Sequence, residues 1–180
     1  MFSSPKEIAG TLLQDFSANR GNAKGKVMVL LFRAAQLAGQ LKKPWSLFGR
    51  IYLMVYVMMD LMLGIEIPWQ VTAGRGLQIF HGNGLVIHYH TQIGKDCILR
   101  QGTTLGSSRL DDQQAPILGD RVEVGCNVCI IGGVRIGSDV VIGAGSVVVH
   151  DVPDNAVVVG NPARVIRINE KIRPTLSAVS

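Results

Sequence analysis

The sequence of 180 residues predicts a mainly β protein, a parallel β-helix preceded by a small α-helical region. Three observations predict it. Across Leu118–Pro153 an aliphatic residue recurs every six positions, at Leu118, Val124, Ile130, Ile136, Ile142 and Val148. Four residues after each stands a second small or β-branched residue: Val122, Val128, Val134, Val140, Ser146 and Val152. Glycine follows the first position in four of the six units, at Gly119, Gly125, Gly137 and Gly143. A period of six matches neither the helical 3.6 nor the strand period of 2, so each unit must be a short strand plus a turn that always bends the same way. Three units close one triangular coil. The aliphatic residues then stack inside, with glycine or a polar residue at the corners.

In chain order, residues 5–41 read as helical: Ile8, Leu12, Leu13 and Phe16 fall at helical spacing, and Val27 to Leu41 is apolar except at Arg33 and Gln36. Gly21-Asn22 divides this stretch into two helices, and Lys42-Lys43-Pro44 ends it. A third helix runs from Leu47 to about Gly64. Between Arg50 and Asp60 it holds nine apolar residues, too few to span a bilayer, which takes about 20. It reads as a buried or subunit-contacting helix, or alternatively as one lying on a membrane surface. The solenoid begins early: Ile67, Ala73 and Ile79 keep the spacing of six, whereas Val86 and Ile93, the next core candidates, follow at steps of seven. Leu99 and Leu105 restore the period. Regularity fails around His81-Gly82-Asn83-Gly84 and His88-Tyr89-His90, and such departures are where function is expected. Ser107 to Pro116 cannot be a strand and reads as a loop thrown from a corner. Gly160-Asn161-Pro162 turns the chain near its end. The predicted organisation is a helical region over 1–64, a solenoid over 65–168 with an extended loop at 106–117, and a tail over 169–180.

Hydrophobic residues make up 47% of the chain and charged residues 17%, which excludes a disordered polypeptide. The net charge of +5 is unevenly placed: residues 1–50 hold Lys6, Arg20, Lys24, Lys26, Arg33, Lys42, Lys43 and Arg50 against Glu7 and Asp15. This basic region reads as a solvated helical surface, or as a peripheral contact with an anionic membrane or a phosphorylated substrate. No nucleic-acid partner is expected. Cys97, Cys126 and Cys129 form no disulfide framework, and Cys126-Asn127-Val128-Cys129 lies inside the repeat without a second pair or a nearby histidine, so no metal is expected. Met1 to Glu7 has no signal-peptide architecture, which predicts a cytoplasmic location or the inner face of the membrane.

Four histidines, His81, His88, His90 and His150, are candidate bases, and the residues alone do not choose among them. Two stretches do. Ile142-Gly143-Ala144-Gly145-Ser146-Val147-Val148 with the ending Val159-Gly160-Asn161-Pro162-Ala163-Arg164 resembles the hexapeptide-repeat acyltransferases, whose fold is a left-handed parallel β-helix. Ile65-Glu66-Ile67 and Ala73-Gly74-Arg75-Gly76 through Phe80-His81-Gly82-Asn83-Gly84 resemble the catalytic stretch of the serine acetyltransferase-like family. The resemblance covers about residues 62–168. It implies an acetyl-CoA-dependent O-acetyltransferase with His81 as general base and Glu66 as the carboxylate that orients it. Such a dyad makes physical sense, since the acid fixes the tautomer and stabilises the imidazolium formed during attack.

Two departures from that family bear on the acceptor. Phe80 stands where serine acetyltransferases have an aspartate, and Gln114-Ala115 stands where they have Arg-His before the proline. The missing arginine would grip the carboxylate of serine, and a neutral amide replaces its planar fork poorly. The short helical head and the His-Gly sequence resemble instead the colanic-acid and exopolysaccharide branch, which implies a sugar or oligosaccharide hydroxyl contacted by Phe80, Gln113 and Gln114. For acetyl-CoA the resemblance implies a groove between solenoids of a homotrimer, with Gly106, Ser107, Cys126 and Ala144 lining the pantetheine path and Arg164 and Arg167 at the phosphates. The alternatives are L-serine O-acetylation, a metal lyase resembling the hexapeptide-repeat carbonic anhydrases through His81, His88 and His90, and a scaffold without activity.

Overall fold

The computed structural model describes residues 5–41, 46–109 and 114–169. Three helices come first: α1 (Pro5–Leu13), α2 (Ala23–Gly39) and α3 (Ser46–Leu63). Four coils follow. The first holds β1 (Thr72–Ala73), β2 (Gln78–Phe80) and β3 (Val86–Ile87), and the second β4 (Gln92–Ile93), β5 (Ile98–Arg100) and β6 (Thr104–Gly106). The third holds β7 (Ile117–Leu118), β8 (Glu123–Val124) and β9 (Cys129–Ile131), and the fourth β10 (Arg135–Ile136), β11 (Val141–Ile142) and β12 (Val147–Val148). A hairpin of β13 (Ala156–Gly160) and β14 (Ala163–Ile168) closes the stack. Each coil gives one strand to each of three parallel sheets, in the orders β1-β4-β7-β10, β14-β13-β11-β8-β5-β2 and β12-β9-β6-β3. The result is a left-handed parallel β-helix of about four turns, with the helices at its N-terminal end.

The six-residue pattern sets the interior. All six primary positions and all six secondary positions of the repeat are buried, including Ser146, whose hydroxyl donates to Gly143 O at 2.6 Å and accepts from Gly160 N at 3.2 Å. The glycines after the strands are needed for stacking rather than for turning. A Cβ on Gly125 would lie 2.6 Å from Ala144 N in the next coil, and one on Gly94 would lie 2.3 Å from Gly119 O. The corners bend at other residues: Asp96, Arg121, Asp139 and Asn155 adopt positive φ in one column, and Gly84, Gly102, Asn127 and Gly145 in another.

Two sequence expectations are corrected. Val86 is not a core residue but 38% exposed, while its neighbours Leu85 and Ile87 are buried. Ile87 pairs with Leu105 and so occupies the stacked position, which restores a step of six to Ile93. The departure is therefore one insertion of two residues, not two steps of seven. Thr72 pairs with Gln92 and Gln78 with Ile98 across twenty residues, but Val86 pairs with Thr104 across eighteen. The second correction concerns residues 5–41, where α1 stops at Leu13 and turns occupy the chain as far as Gly21.

The early stop of α1 has a physical reason. Asp15 and Asn19 turn inward to serve the end of the solenoid, and both are fully buried. Asp15 accepts from Gly76 N (2.7 Å) and Leu77 N (3.0 Å) and pairs with Arg33 at 2.8 Å, while Asn19 donates to Leu77 O at 2.8 Å. Arg33 donates to Ala73 O and Gly74 O, and Gln36 to Val71 O. Arg33 is thus an interior ion-pair member rather than a surface cation. The exposed end of a β-helix carries unpaired backbone groups, and this polar face of the helical head satisfies those of the first coil.

Candidate active site

The inserted pair is His81-Gly82, placed where the chain leaves β2. Gly82 N donates to Phe80 O at 2.8 Å across a three-residue turn centred on His81, whose φ is +65°. A γ-turn with positive φ at a non-glycine residue is rare and costs backbone energy, so the surrounding structure must hold it. It is held from the helical head. Gly82 packs so closely on Met28 of α2 that an added Cβ would collide with its Cε, Asn22 donates to Ile79 O at 2.8 Å, and Lys24 Nζ hydrogen-bonds Asn83 Oδ1. The His81 side chain is exposed on this fixed turn. Phe80, half-buried beside it, is in register with Arg100.

Glu66 reaches the same region from the other side. Its backbone extends the β3 sheet, with Glu66 N on Leu85 O and Ile87 N on Glu66 O, both at 2.8 Å, and Gly84 N donates to Gly64 O at 2.7 Å. These bonds fix Glu66 beside the segment that follows the inserted turn. Among the described residues no hydrogen bond or ion pair joins its carboxylate to His81. Glu66 lines a cleft of about 550 Å³ between α3 and the first coil, with Tyr56, Asp60, Trp69 and Val86, and His81 is not in its lining. In that cleft the Asp60 carboxyl is pushed up to about 6, by burial first, with Glu66 adding to the rise and the Ile67 N–H opposing it. Tyr56 is raised as well, mainly by burial, and its hydroxyl donates to Ile67 O at 2.9 Å.

The candidate donor-binding residues fall into three groups. Cys126 and Ala144 sit one above the other in a corner column that begins at Asn83 and Gln101. Gly102 N donates to Asn83 O, Asn127 N to Gln101 O and Gly145 N to Cys126 O, at 2.9, 2.9 and 2.8 Å. This column rises directly from the turn that carries His81. Gly106 and Ser107 lie at the next corner, at the root of the long loop, where Gly106 O accepts from Gly132 N and Ser107 Oγ donates to Arg109 O. Arg164 and Arg167 stand on β14. The bulge between Val157 and Val158 pairs Arg164 with Val159 and Arg167 with Val157, and so returns two residues three apart to one face of the strand. Gln114 is exposed, with its side chain over Gly133, and Gln113 lies outside the described residues.

Sequence reasoning missed three residues here. Lys24 brings a cation to Asn83 from the helical head, and only the folded contact between positions far apart in sequence reveals it. Gln101 has a buried Oε1 with no hydrogen-bond partner among the described residues, in the corner column, and Asp60 joins Glu66 in the cleft. Cys97 is fully buried with its thiol donating to Gly119 O at 3.2 Å, and burial pushes that thiol up to about 11, the setting of a structural cysteine. The rings of His88, Tyr89 and His90 pack against one another at tilts of 35° and 43°, with neighbouring centroids 4.3 and 4.2 Å apart. Among the described residues no three His, Cys, Asp or Glu side chains are grouped so as to hold a metal ion.

With this geometry in place, comparison with known proteins is informative. The family described as bacterial transferase hexapeptide (six repeats) matches residues 115–150. The chain is 37% identical over 158 residues to a protein of Escherichia coli K12 named as a colanic acid biosynthesis acetyltransferase, WcaB, covering 86% of this chain and 98% of that one. It is 42% identical over 107 residues to the serine acetyltransferase of Synechococcus elongatus, covering 59% of this chain and 44% of that one. The solved structure of Brucella abortus serine acetyltransferase in complex with coenzyme A superposes with a TM-score of 0.76 at 25% identity, over 92% of this chain and 70% of that one.

Proposed function

Because the chain belongs to the hexapeptide-repeat acetyltransferases, we propose that it moves the acetyl group of acetyl-CoA to a sugar hydroxyl, with His81 as general base. The observation that carries this reading is the inserted His81-Gly82 turn. It lengthens the first coil by two residues between β2 and β3, and it fixes an exposed imidazole at the foot of the Gln101–Cys126–Ala144 column. The imidazole takes the acceptor hydroxyl proton as that oxygen attacks the thioester carbonyl carbon. The new C–O bond gives an oxyanion, the C–S bond then breaks, and the imidazolium returns the proton to the departing thiolate. Glu66, anchored beside the turn, orients and stabilises the imidazolium once substrate closes the site.

A homotrimer fits the scattered donor residues. Cys126 and Ala144 occupy one corner and Gly106 and Ser107 another, so a groove walled by two neighbouring chains brings both sets to one acetyl-CoA. The side chains at these four positions are small enough to admit pantetheine. Arg164 and Arg167, on one face of β14, supply paired cations for the CoA phosphates. A CoA complex of a related serine acetyltransferase fold supports acetyl-CoA as the donor.

For the acceptor, similarity to the colanic acid protein over nearly its whole length supports a sugar. So do Phe80 beside His81 and the uncharged Gln114, with Gln113 next to it in sequence. The similarity to serine acetyltransferases sustains a second reading, L-serine, because Lys24 brings a cation to the inserted turn. The test is CoA release from acetyl-CoA with serine or with a panel of sugars and oligosaccharides. Turnover with a sugar and none with serine is the expected outcome. Turnover with serine alone would overturn the sugar assignment and give the carboxylate to Lys24.

A further inference from the structure

The outer face of α3 is built the wrong way round for a helix in water. Three of its polar side chains point inward: Tyr52 donates to Leu31 O, Tyr56 to Ile67 O, and Asp60 Oδ2 faces Ile67 N. Its outward face carries Leu47, Ile51, Met54, Met58, Leu61 and Met62, each at least half exposed, and Leu61 and Met62 reach 74% and 84%. At 100° per residue these six positions fall within a stripe roughly 100° wide, running almost the whole helix of about 27 Å. Single exposed apolar side chains need no explanation, but a continuous stripe of this size marks a binding surface. No helix among the described residues is long and apolar enough to cross a membrane, so a transbilayer role is excluded for α3.

We propose that α3 docks the protein onto the surface of an anionic membrane, lying in the interface with this stripe in the acyl boundary. Charge selects this occupant. Residues 1–50 hold eight basic residues against Glu7 and Asp15, and the buried Asp15–Arg33 pair leaves seven cations against Glu7. Arg50 is exposed at the edge of the stripe, and Lys42 and Lys43 stand four and three residues before the helix in sequence. A cation at the edge of an apolar helix face, within a basic stretch of chain, is what an anionic lipid surface attracts. The stripe offers no hydrogen-bonding group to fix the register of a protein partner, and its methionines suit a fluid surface. The Glu66 cleft opens on this side, since Val57 and Leu61 of α3 form part of its wall. The inference holds whichever acceptor is acetylated.

The test is flotation of the full chain with phosphatidylcholine vesicles, with and without phosphatidylglycerol, at low and high salt. Wild-type protein is expected to float with the anionic vesicles and to be weakened by salt. Met54→Glu/Met58→Glu is expected to lower binding at least about tenfold while oligomeric mass and CoA release from acetyl-CoA stay unchanged. Arg50→Glu, which leaves the apolar stripe intact, is expected to weaken binding to the anionic vesicles alone. Failure of wild-type protein to float, or equal flotation of the double variant, would overturn the proposal. So would a change of oligomeric mass in the double variant, which would give the stripe to a second copy of the chain.

Discussion

Asp60 shows how single residues here depart from what their type suggests. Its carboxyl is half-buried beside Glu66 and is pushed up to about 6 from an ordinary value of 3.8. Between those two values the folded protein binds more protons at this site than the unfolded chain, so stability falls as pH rises through the interval. Asp60→Asn should therefore raise the melting temperature at pH above 6 and leave it nearly unchanged below pH 4. Melting curves of the two proteins across that range check it, and equal gains at both ends would show that the carboxylate charge is not the cause. Asp60 could not be read from sequence as anything but the polar end of an apolar run. His81 was singled out from the four histidines by the resemblance, and the break in the six-residue period around it corresponds to the two-residue insertion in the first coil. Val86 was misread because Leu85, Val86 and Ile87 are all aliphatic, and only pairing with Thr104 and Leu105 decides which of them face inward. The Asp15–Arg33 pair was invisible for a different reason: both residues act on backbone groups about forty to sixty positions away.

The repeat as an element makes a sharper demand than its hydrophobic pattern alone. Gly125 has ordinary φ, yet a Cβ there would press on the backbone of the next coil at 2.6 Å from Ala144 N. Gly145 is the reverse case, with φ of +72° and open space around it. Gly125→Ala should consequently force coils apart and cost about 1–3 kcal/mol, whereas Gly145→Ala should cost about 1 kcal/mol from backbone strain alone. Thermal unfolding of the two variants separates stacking from turning. A smaller loss at Gly125 than at Gly145 would contradict the close-stacking explanation. The four coils were legible from spacing because the aliphatic interior and the coil-to-coil glycines share one period. The register shift on β14 was not, since nothing in Ala163-Arg164-Val165-Ile166-Arg167 announces which residue is skipped.

At the scale of the whole molecule, the helical head is more than an appendage. It caps the first coil through Asp15, Asn19, Arg33 and Gln36, and it braces the His81 turn through Asn22, Lys24 and Met28. The first coil and the His81 turn are thus both held by the helical head, which explains why a strained γ-turn persists at the solenoid edge. The family and the solenoid were legible from sequence. The proposed joining of His81 and Glu66 with a donor groove rests on the resemblance alone: among the described residues no hydrogen bond or ion pair links the two side chains, and the candidate groove residues of one chain lie at separate corners. The most direct measurement is CoA release by His81→Ala, with circular dichroism and oligomeric mass as controls. With His81 as the base, turnover falls by roughly 10²–10⁴ while fold and assembly stay unchanged. Turnover close to that of the wild type in a folded, assembled variant would remove His81 from the chemistry.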